Sequence, residues 1–141
     1  MTAERLAYAK PLPTITREGA PFWEATREKR LVSQYCPDCD QHQFPPRRLC
    51  MHCGGRNVGW RTISGKGRIY SFTVVHRPPN PSFAPDVPYV VAVIDLAEGG
   101  RMMTNIVECP PTEVRVDMPV IAVYEQVTGE VTLVKFRPDR G

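Results

Sequence analysis

Residues 35–60 read YCPDCDQHQFPPRRLCMHCGGRNVGW and place four of the chain's five cysteines in two pairs, Cys36/Cys39 and Cys50/Cys53, each separated by two residues. A Cys-x-x-Cys turn lets two thiolates converge while backbone N–H groups point at the sulfurs, and two such knuckles complete a tetrahedron around Zn²⁺. Ten residues lie between the pairs, enough for a short hairpin to bring them together. Gly54 follows the second pair, where the turn favours a positive φ. Asp40 stands at the matching place after the first pair, and it tolerates that conformation less readily than glycine but better than most residues. The pattern predicts one structural zinc per chain, held by Cys36, Cys39, Cys50 and Cys53. Four thiolates close the coordination sphere, whereas catalytic zinc keeps a position for water or substrate, so the metal is expected to staple rather than to react. His42 and His52 fall in the same stretch and read as surface imidazoles, because the cysteines already supply four ligands.

The cysteine usage fits a reducing compartment, where close thiol pairs bind metal more often than they form disulfides. No apolar run follows Met1, and the longest apolar stretches, YVVAVI and PVIAVY, fall far short of the roughly 20 residues that span a bilayer. The expectation is a soluble, cytoplasmic protein with no membrane contact.

The 141 residues suit one domain or two small neighbours. Residues 18–32, EGAPFWEATREKRLV, carry a proline soon after a glycine and then no helix breaker, with Phe22, Trp23, Ala25 and Thr26 on one side, which predicts a short helix before the ribbon. From Lys66 onward the pattern turns to strands: GRIYSFTVVHR, YVVAVIDL, RMMTNIVE, PVIAVYEQV and VTLVKF. AEGG and TGE read as hairpin turns, pairing the second strand with the third and the fourth with the fifth. A small closed or partly closed barrel buries five such strands without exposed edges. The fold class is therefore mainly β, divided into an arm and helix at 1–34, a zinc ribbon at 35–60 and a barrel domain at 61–141. Between the first two barrel strands, RPPNPSFAPDVPY at 77–89 holds five of the chain's fifteen prolines, a stiff connection that either presents something or covers one barrel end.

The order of helix, four-cysteine ribbon with FPPRRLC before the second knuckle, GKGRIYSFTVVHRPP, PYVVAVIDLAEGGRMMTNIV and DMPVIAVYEQVTG resembles the acyl-CoA-associated OB-fold family with an N-terminal rubredoxin-like zinc ribbon. The resemblance covers roughly residues 18–137. It implies a five-stranded OB barrel and a non-catalytic subunit that joins a thiolase-fold catalytic partner, or a thiolase-like aldolase, in a hetero-oligomer and shares an acyl-CoA thioester with it. Asp40 and Asp117 depart from the family pattern, each standing where glycine is usual. The resemblance also directs attention to FPPRRLC, whose prolines hold Arg47 and Arg48 just before the second knuckle. Those guanidinium groups are placed to meet coenzyme A phosphates, to pair with acidic residues across a partner interface, or to remain solvated. Phe83 and Tyr89 are candidate apolar walls for the pantetheine or acyl chain, with His76 and Arg77 at the strand end nearby.

Zinc ribbons and OB barrels also occur in nucleic-acid readers, and charge decides against that rival. Residues 61–141 carry nine Lys/Arg and nine Asp/Glu, a net of zero. Residues 1–60 carry nine and six, and a zinc tetrathiolate lowers the chain total from +3 to about +1. Binding through counterion release needs clustered cations that the barrel lacks. A self-sufficient enzyme has little to draw on. Cys109 is the one thiol outside the ribbon and His76 the one histidine in the barrel, with nothing in the sequence to join them, and GKG at 65–67 precedes a strand where a phosphate loop requires a helix. No catalytic residue is expected in this chain.

Overall fold

The structure is a computed structural model that describes residues 8–140. The first seven residues expected in the N-terminal arm lie outside the described residues. Helix α1 spans Ala20–Arg27, with Pro21 in its first turn. Gly19 precedes it, and the Thr16 hydroxyl accepts its amide at 3.1 Å. The helix buries Phe22, Ala25 and Thr26. It is shorter than the expected 18–32: Lys29 adopts φ 56° and the Arg30 amide folds back to the Ala25 carbonyl at 3.0 Å. A left-handed residue stops the helix here without a glycine to announce it. Leu31 and Val32 then enter a strand whose pairing partners override their helical surroundings.

That strand, β1 (Leu31–Cys36), is the centre of a three-stranded antiparallel sheet with β2 (Gln41–Gln43) and β3 (Gly59–Ile63). The remaining strands are β4 (Lys66–Val75), β5 (Tyr89–Leu96), β6 (Arg101–Ile106), β7 (Pro119–Gln126) and β8 (Thr132–Pro138), and they close a barrel in the order β4-β5-β6-β8-β7. Strands β5 and β6 pair antiparallel, as do β7 and β8. Closure comes from β7 on β4 and from a short parallel contact of Ile106 with Phe136. Along β5 the burial alternates residue by residue, as a strand with one face on a core requires. Ile69, Ile94, Val120 and Phe136 fill the interior. At Gly67 a Cβ would lie 2.5 Å from the Asp95 carbonyl oxygen and 2.6 Å from the Ile94 side chain, so the GKG stretch is the bend at which β4 crosses close over β5.

The ribbon and the barrel share one core: Phe22, Leu31 and Ile63 pack in the same cluster as the barrel interior, and Phe44 meets Phe22 edge-on at 5.5 Å. The β5–β6 turn reaches back to the ribbon. Gly99 and Gly100 hold φ 121° and 89°, and a Cβ on Gly100 would sit 3.1 Å from the Phe44 nitrogen. The Glu98 carboxylate accepts the Ser64 amide at 2.8 Å.

Asp40 and Asp117, the two places where the resemblance expects glycine, adopt φ 55° and 68°. Asp40 is tied there, its carboxylate accepting the Tyr35 hydroxyl. At Asp117 the backbone holds the position, its N–H on the Ile69 carbonyl at 2.8 Å and its own carbonyl accepting from Arg68 at 3.0 Å. Glycine removes the Cβ penalty of a left-handed residue and costs chain entropy on folding. Asp117→Gly is therefore expected to fall between neutral and about 1 kcal/mol more stable in urea unfolding. A loss of more than about 1 kcal/mol would show that the carboxylate itself is needed there.

Candidate functional site

Cys36 ends β1, Cys39 lies in the turn that follows, and Cys50 and Cys53 flank the second knuckle. The fold brings Cys36 Sγ to 3.7 Å from Cys53 Sγ and Cys39 Sγ to 3.6 Å from Cys50 Sγ, and all four sulfurs lie within 4.8 Å of one another. Tetrahedral zinc with Zn–S bonds near 2.3 Å needs sulfurs about 3.8 Å apart, so the donor set fits one zinc without rearrangement. Gly54 has φ 75°, and the Cys50 amide reaches the Gly55 carbonyl at 2.9 Å, which closes the second knuckle.

The backbone already favours thiolate at this point. Burial works to raise the Cys50 thiol, and the N–H groups of Cys53 and His52, together with hydrogen bonds from the Cys39 and Cys53 thiols, outweigh it and bring it down to about 6. The His52 amide lies 3.4 Å from the Cys50 sulfur. Cys39 is pushed up to about 12 by burial and by its hydrogen bonds to the other three thiols. The thiols form one close cluster, and a bound cation would displace protons from it. Four thiolates leave zinc no position for a reactant, so the centre is structural.

Neither histidine is free to compete. His42 Nδ1 lies 2.8 Å from the Ser33 hydroxyl, and His52 Nε2 lies 3.1 Å from the His42 carbonyl oxygen. The expectation of two surface imidazoles holds for exposed His52 but not for His42, which is half-buried against β1.

Two buried glutamines, which sequence reasoning missed, hold the proline–arginine segment to the sheet. Gln34 accepts the Arg47 amide at 2.7 Å and donates to the Arg47 carbonyl at 2.8 Å. Gln43 donates to Gln34 at 2.7 Å and to the Leu49 carbonyl at 3.2 Å, and accepts the Met51 amide at 2.7 Å. A polar residue in a strand gives no sign from sequence that it will be buried and bonded in this way; only the pairing of β1 with β2, which sets Gln34 opposite Gln43, reveals it.

The expected ligand residues fall at separate places. Phe83 and Tyr89 come together, their ring centroids 5.9 Å apart, in the wall of a cavity of about 550 Å³. Phe83 belongs to a short 3-10 helix, Pro81–Asp86, inside the proline-rich connection, capped by Asn80, whose side chain accepts the Ser82 amide at 3.0 Å. Lys10 and Lys135 also line the cavity, and sequence reasoning named neither. Lys10 pairs with Asp86 at 2.7 Å and Lys135 with Glu125 at 2.6 Å. His76 and Arg77 are exposed at the end of β4 and do not line it. Arg48 lines a different concavity, on the ribbon, with Leu49 and Arg56, and Arg47 is exposed beside it in sequence. Cys109 sits in a third hollow with Glu113, Arg115 and Arg140 and no histidine. Burial, and then the Glu113 charge, raise its thiol, so it lacks the features of an activated nucleophile.

Residues 23–59 match the ChsH2 rubredoxin-like zinc ribbon domain, and residues 60–125 the ChsH2 C-terminal OB-fold domain. The chain is 39% identical over 139 residues to a probable enoyl-CoA hydratase alpha subunit of Thermomonospora curvata; the match covers 97% of this chain and 42% of that relative's length. It is 36% identical to a DUF35 domain-containing scaffold protein of Methanocaldococcus jannaschii, covering 82% of this chain and 87% of the relative. Among solved structures, one described as the Ltp2-ChsH2(DUF35) aldolase superposes with a TM-score of 0.80 at 39% identity, covering 90% of this chain and 98% of the matched one. A DUF35-family protein of unknown function from Sulfolobus solfataricus shares the fold at 17% identity, with a TM-score of 0.60.

Proposed function

The chain belongs to the DUF35 family of ChsH2-type zinc-ribbon and OB-fold proteins, and we propose that it is a non-catalytic accessory subunit of an enzyme acting on an acyl-CoA thioester. The observation that carries this reading is the 39% identity along 98% of the matched chain in the ChsH2(DUF35) aldolase structure. The name of the Thermomonospora relative, a subunit of an enoyl-CoA enzyme, points the same way, although this chain spans less than half of that relative's length. The partner we assign is a thiolase-fold catalytic subunit that makes or breaks a C–C bond. An aldolase-type partner is the nearest alternative, favoured by the description of the structural neighbour.

In this reading the zinc centre and the barrel supply shape, and the reacting groups belong to the partner. The cavity walled by Phe83 and Tyr89 is the part of this chain best suited to border the thioester's path: its aromatic rings suit an apolar acyl or pantetheine segment, and Lys10 and Lys135, paired with Asp86 and Glu125, supply its polar lining. Exposed His76 and Arg77 stand at the β4 end of the proline-rich connection, and Arg47 and Arg48 lie on the ribbon. Among the described residues no helix is long and apolar enough to cross a membrane. The net-zero barrel disfavours the nucleic-acid reading.

The expected result for the purified lone chain is no detectable turnover of an acyl-CoA substrate, with activity appearing only when the catalytic subunit is added. Turnover by the lone chain that disappears in Cys109→Ala would overturn the proposal and make this an enzyme in its own right.

A further inference from the structure

The second zinc knuckle carries an outward surface that nothing among the described residues covers. Leu49 and Met51, on either side of the ligand Cys50, are 48% and 55% exposed. Arg48 and Arg56 flank Leu49 around a concavity of about 470 Å³. Other arginines near the ribbon have internal work: Arg61 stacks on the Tyr35 ring at 3.5 Å, and Arg30 donates to Glu28 and to Thr62 at 3.0 and 3.2 Å. The guanidinium groups of Arg47, Arg48 and Arg56 meet no carboxylate and make no side-chain hydrogen bond among the described residues. The nearby Asp38 carboxylate is occupied by the Asn57 amide at 3.1 Å.

This surface is also rigid. The Arg47 backbone is gripped on both sides by Gln34, the Leu49 carbonyl and Met51 amide are held by Gln43, and Cys50 is a zinc ligand. Side chains on a fixed backbone lose less entropy when they meet a partner, and exposed apolar residues beside unpaired arginines are the composition of a protein interface centre.

We propose that the knuckle formed by Arg48, Leu49, Met51 and Arg56 is the docking surface for the catalytic subunit, and that it takes a face with an apolar recess bordered by Asp or Glu. This rests on the accessory-subunit reading and names the contact that reading requires. A protein face is favoured over the phosphates of coenzyme A because Leu49 and Met51 offer nothing to a phosphate, and the arginines lie outside the cavity that contains Phe83 and Tyr89.

The test uses the full zinc-loaded chain and the acyl-CoA enzyme subunit that co-purifies with it. Arg48→Glu with Arg56→Glu, and separately Leu49→Asp, are each expected to raise the dissociation constant of the complex at least about tenfold, with zinc content and unfolding midpoint unchanged. Arg17→Glu, an exposed charge reversal away from the knuckle, is expected to leave it unchanged. A photo-crosslinker at Leu49 is expected to capture a segment of the catalytic subunit rich in Asp or Glu.

Unchanged affinity in both knuckle variants, or a crosslink only to a second copy of this chain, would overturn the proposal. So would intact assembly with a raised Michaelis constant for the acyl-CoA, which would assign the arginines to the nucleotide instead. If no acyl-CoA enzyme subunit associates with the wild-type chain, the accessory-subunit reading has failed and this inference falls with it; failure of the variants alone leaves that reading standing.

Discussion

Cys50→Ser is expected to empty the zinc centre and release the ribbon from its folded state while much of the barrel's strand pairing persists. Structural zinc contributes about 10–16 kcal/mol of apparent binding free energy in ribbon-sized peptides, far more than any other single contact in this region can supply. Cys50 is buried, and the backbone amides of Cys53 and His52 favour its thiolate, so a hydroxyl there loses a ligand and the charge those amides are set to meet. The barrel closes through its own five strands and has its own interior in Ile69, Ile94, Val120 and Phe136. Loss of the ribbon should therefore loosen the side of the core shared with Phe22 and Leu31 more than its centre. Zinc quantification and amide hydrogen exchange read the two effects together: about one zinc per wild-type chain and none in the variant, with exchange protection lost at residues 31–63. Acid works in the same direction, because protons compete with zinc for the thiolates. A metal-free variant with a fully protected ribbon would show that zinc does not staple this fold.

Gln43→Ala is expected to have the second largest effect, through the same knuckle and without touching a ligand. Gln43 is 2% exposed and makes three hydrogen bonds, to Gln34, to the Leu49 carbonyl and from the Met51 amide. Alanine leaves the buried Gln34 oxygen without its donor, at about 1–3 kcal/mol, and removes two part-buried bonds to the Leu49 and Met51 backbone, at about 0.5–1.5 kcal/mol each, so the whole loss should be about 2–6 kcal/mol in urea unfolding. The Met51 and Leu49 backbone groups flank Cys50, so the knuckle should also hold its metal less well, by about 10- to 100-fold in competition with a chelator. A destabilisation under about 1 kcal/mol with unchanged zinc affinity would mean that the network is ornamental and the cysteines alone shape the turn.

The parts of this architecture that follow short-range rules were legible in the sequence. Two Cys-x-x-Cys turns identify the metal centre because the chemistry needs four thiolates at that spacing, and the five barrel strands announce themselves as β-rich segments separated by turns such as AEGG at 97–100. The elements that depend on distant partners were not legible. Helix α1 stops because Lys29 turns left-handed and Leu31 is claimed by β3, its register partner being Ile63, and neither is visible locally. Strand β1 is buried through Ser33 and Gln34, so it shows no alternation to read. The parallel contact that closes β6 on β8 joins residues 30 positions apart. At the candidate ligand surface, the sequence offered Phe83 and Tyr89 as a pair and the structure brings them together. Lys10 and Lys135 escaped notice because a lone lysine in an arm or a strand looks like any solvated charge until the fold sets it beside a cavity.

Reconstitution from separately purified parts distinguishes a chain that lends structure to an acyl-CoA enzyme, with the reacting groups on another subunit, from one that acts alone. The wild-type chain is titrated into the catalytic subunit recovered with it, and acyl-CoA turnover is followed together with the mass of the assembly by light scattering. The expected result is that turnover rises in step with formation of the hetero-oligomer and saturates at a fixed ratio of the two chains. Turnover by this chain alone, or full activity of the catalytic subunit with no association, would contradict it.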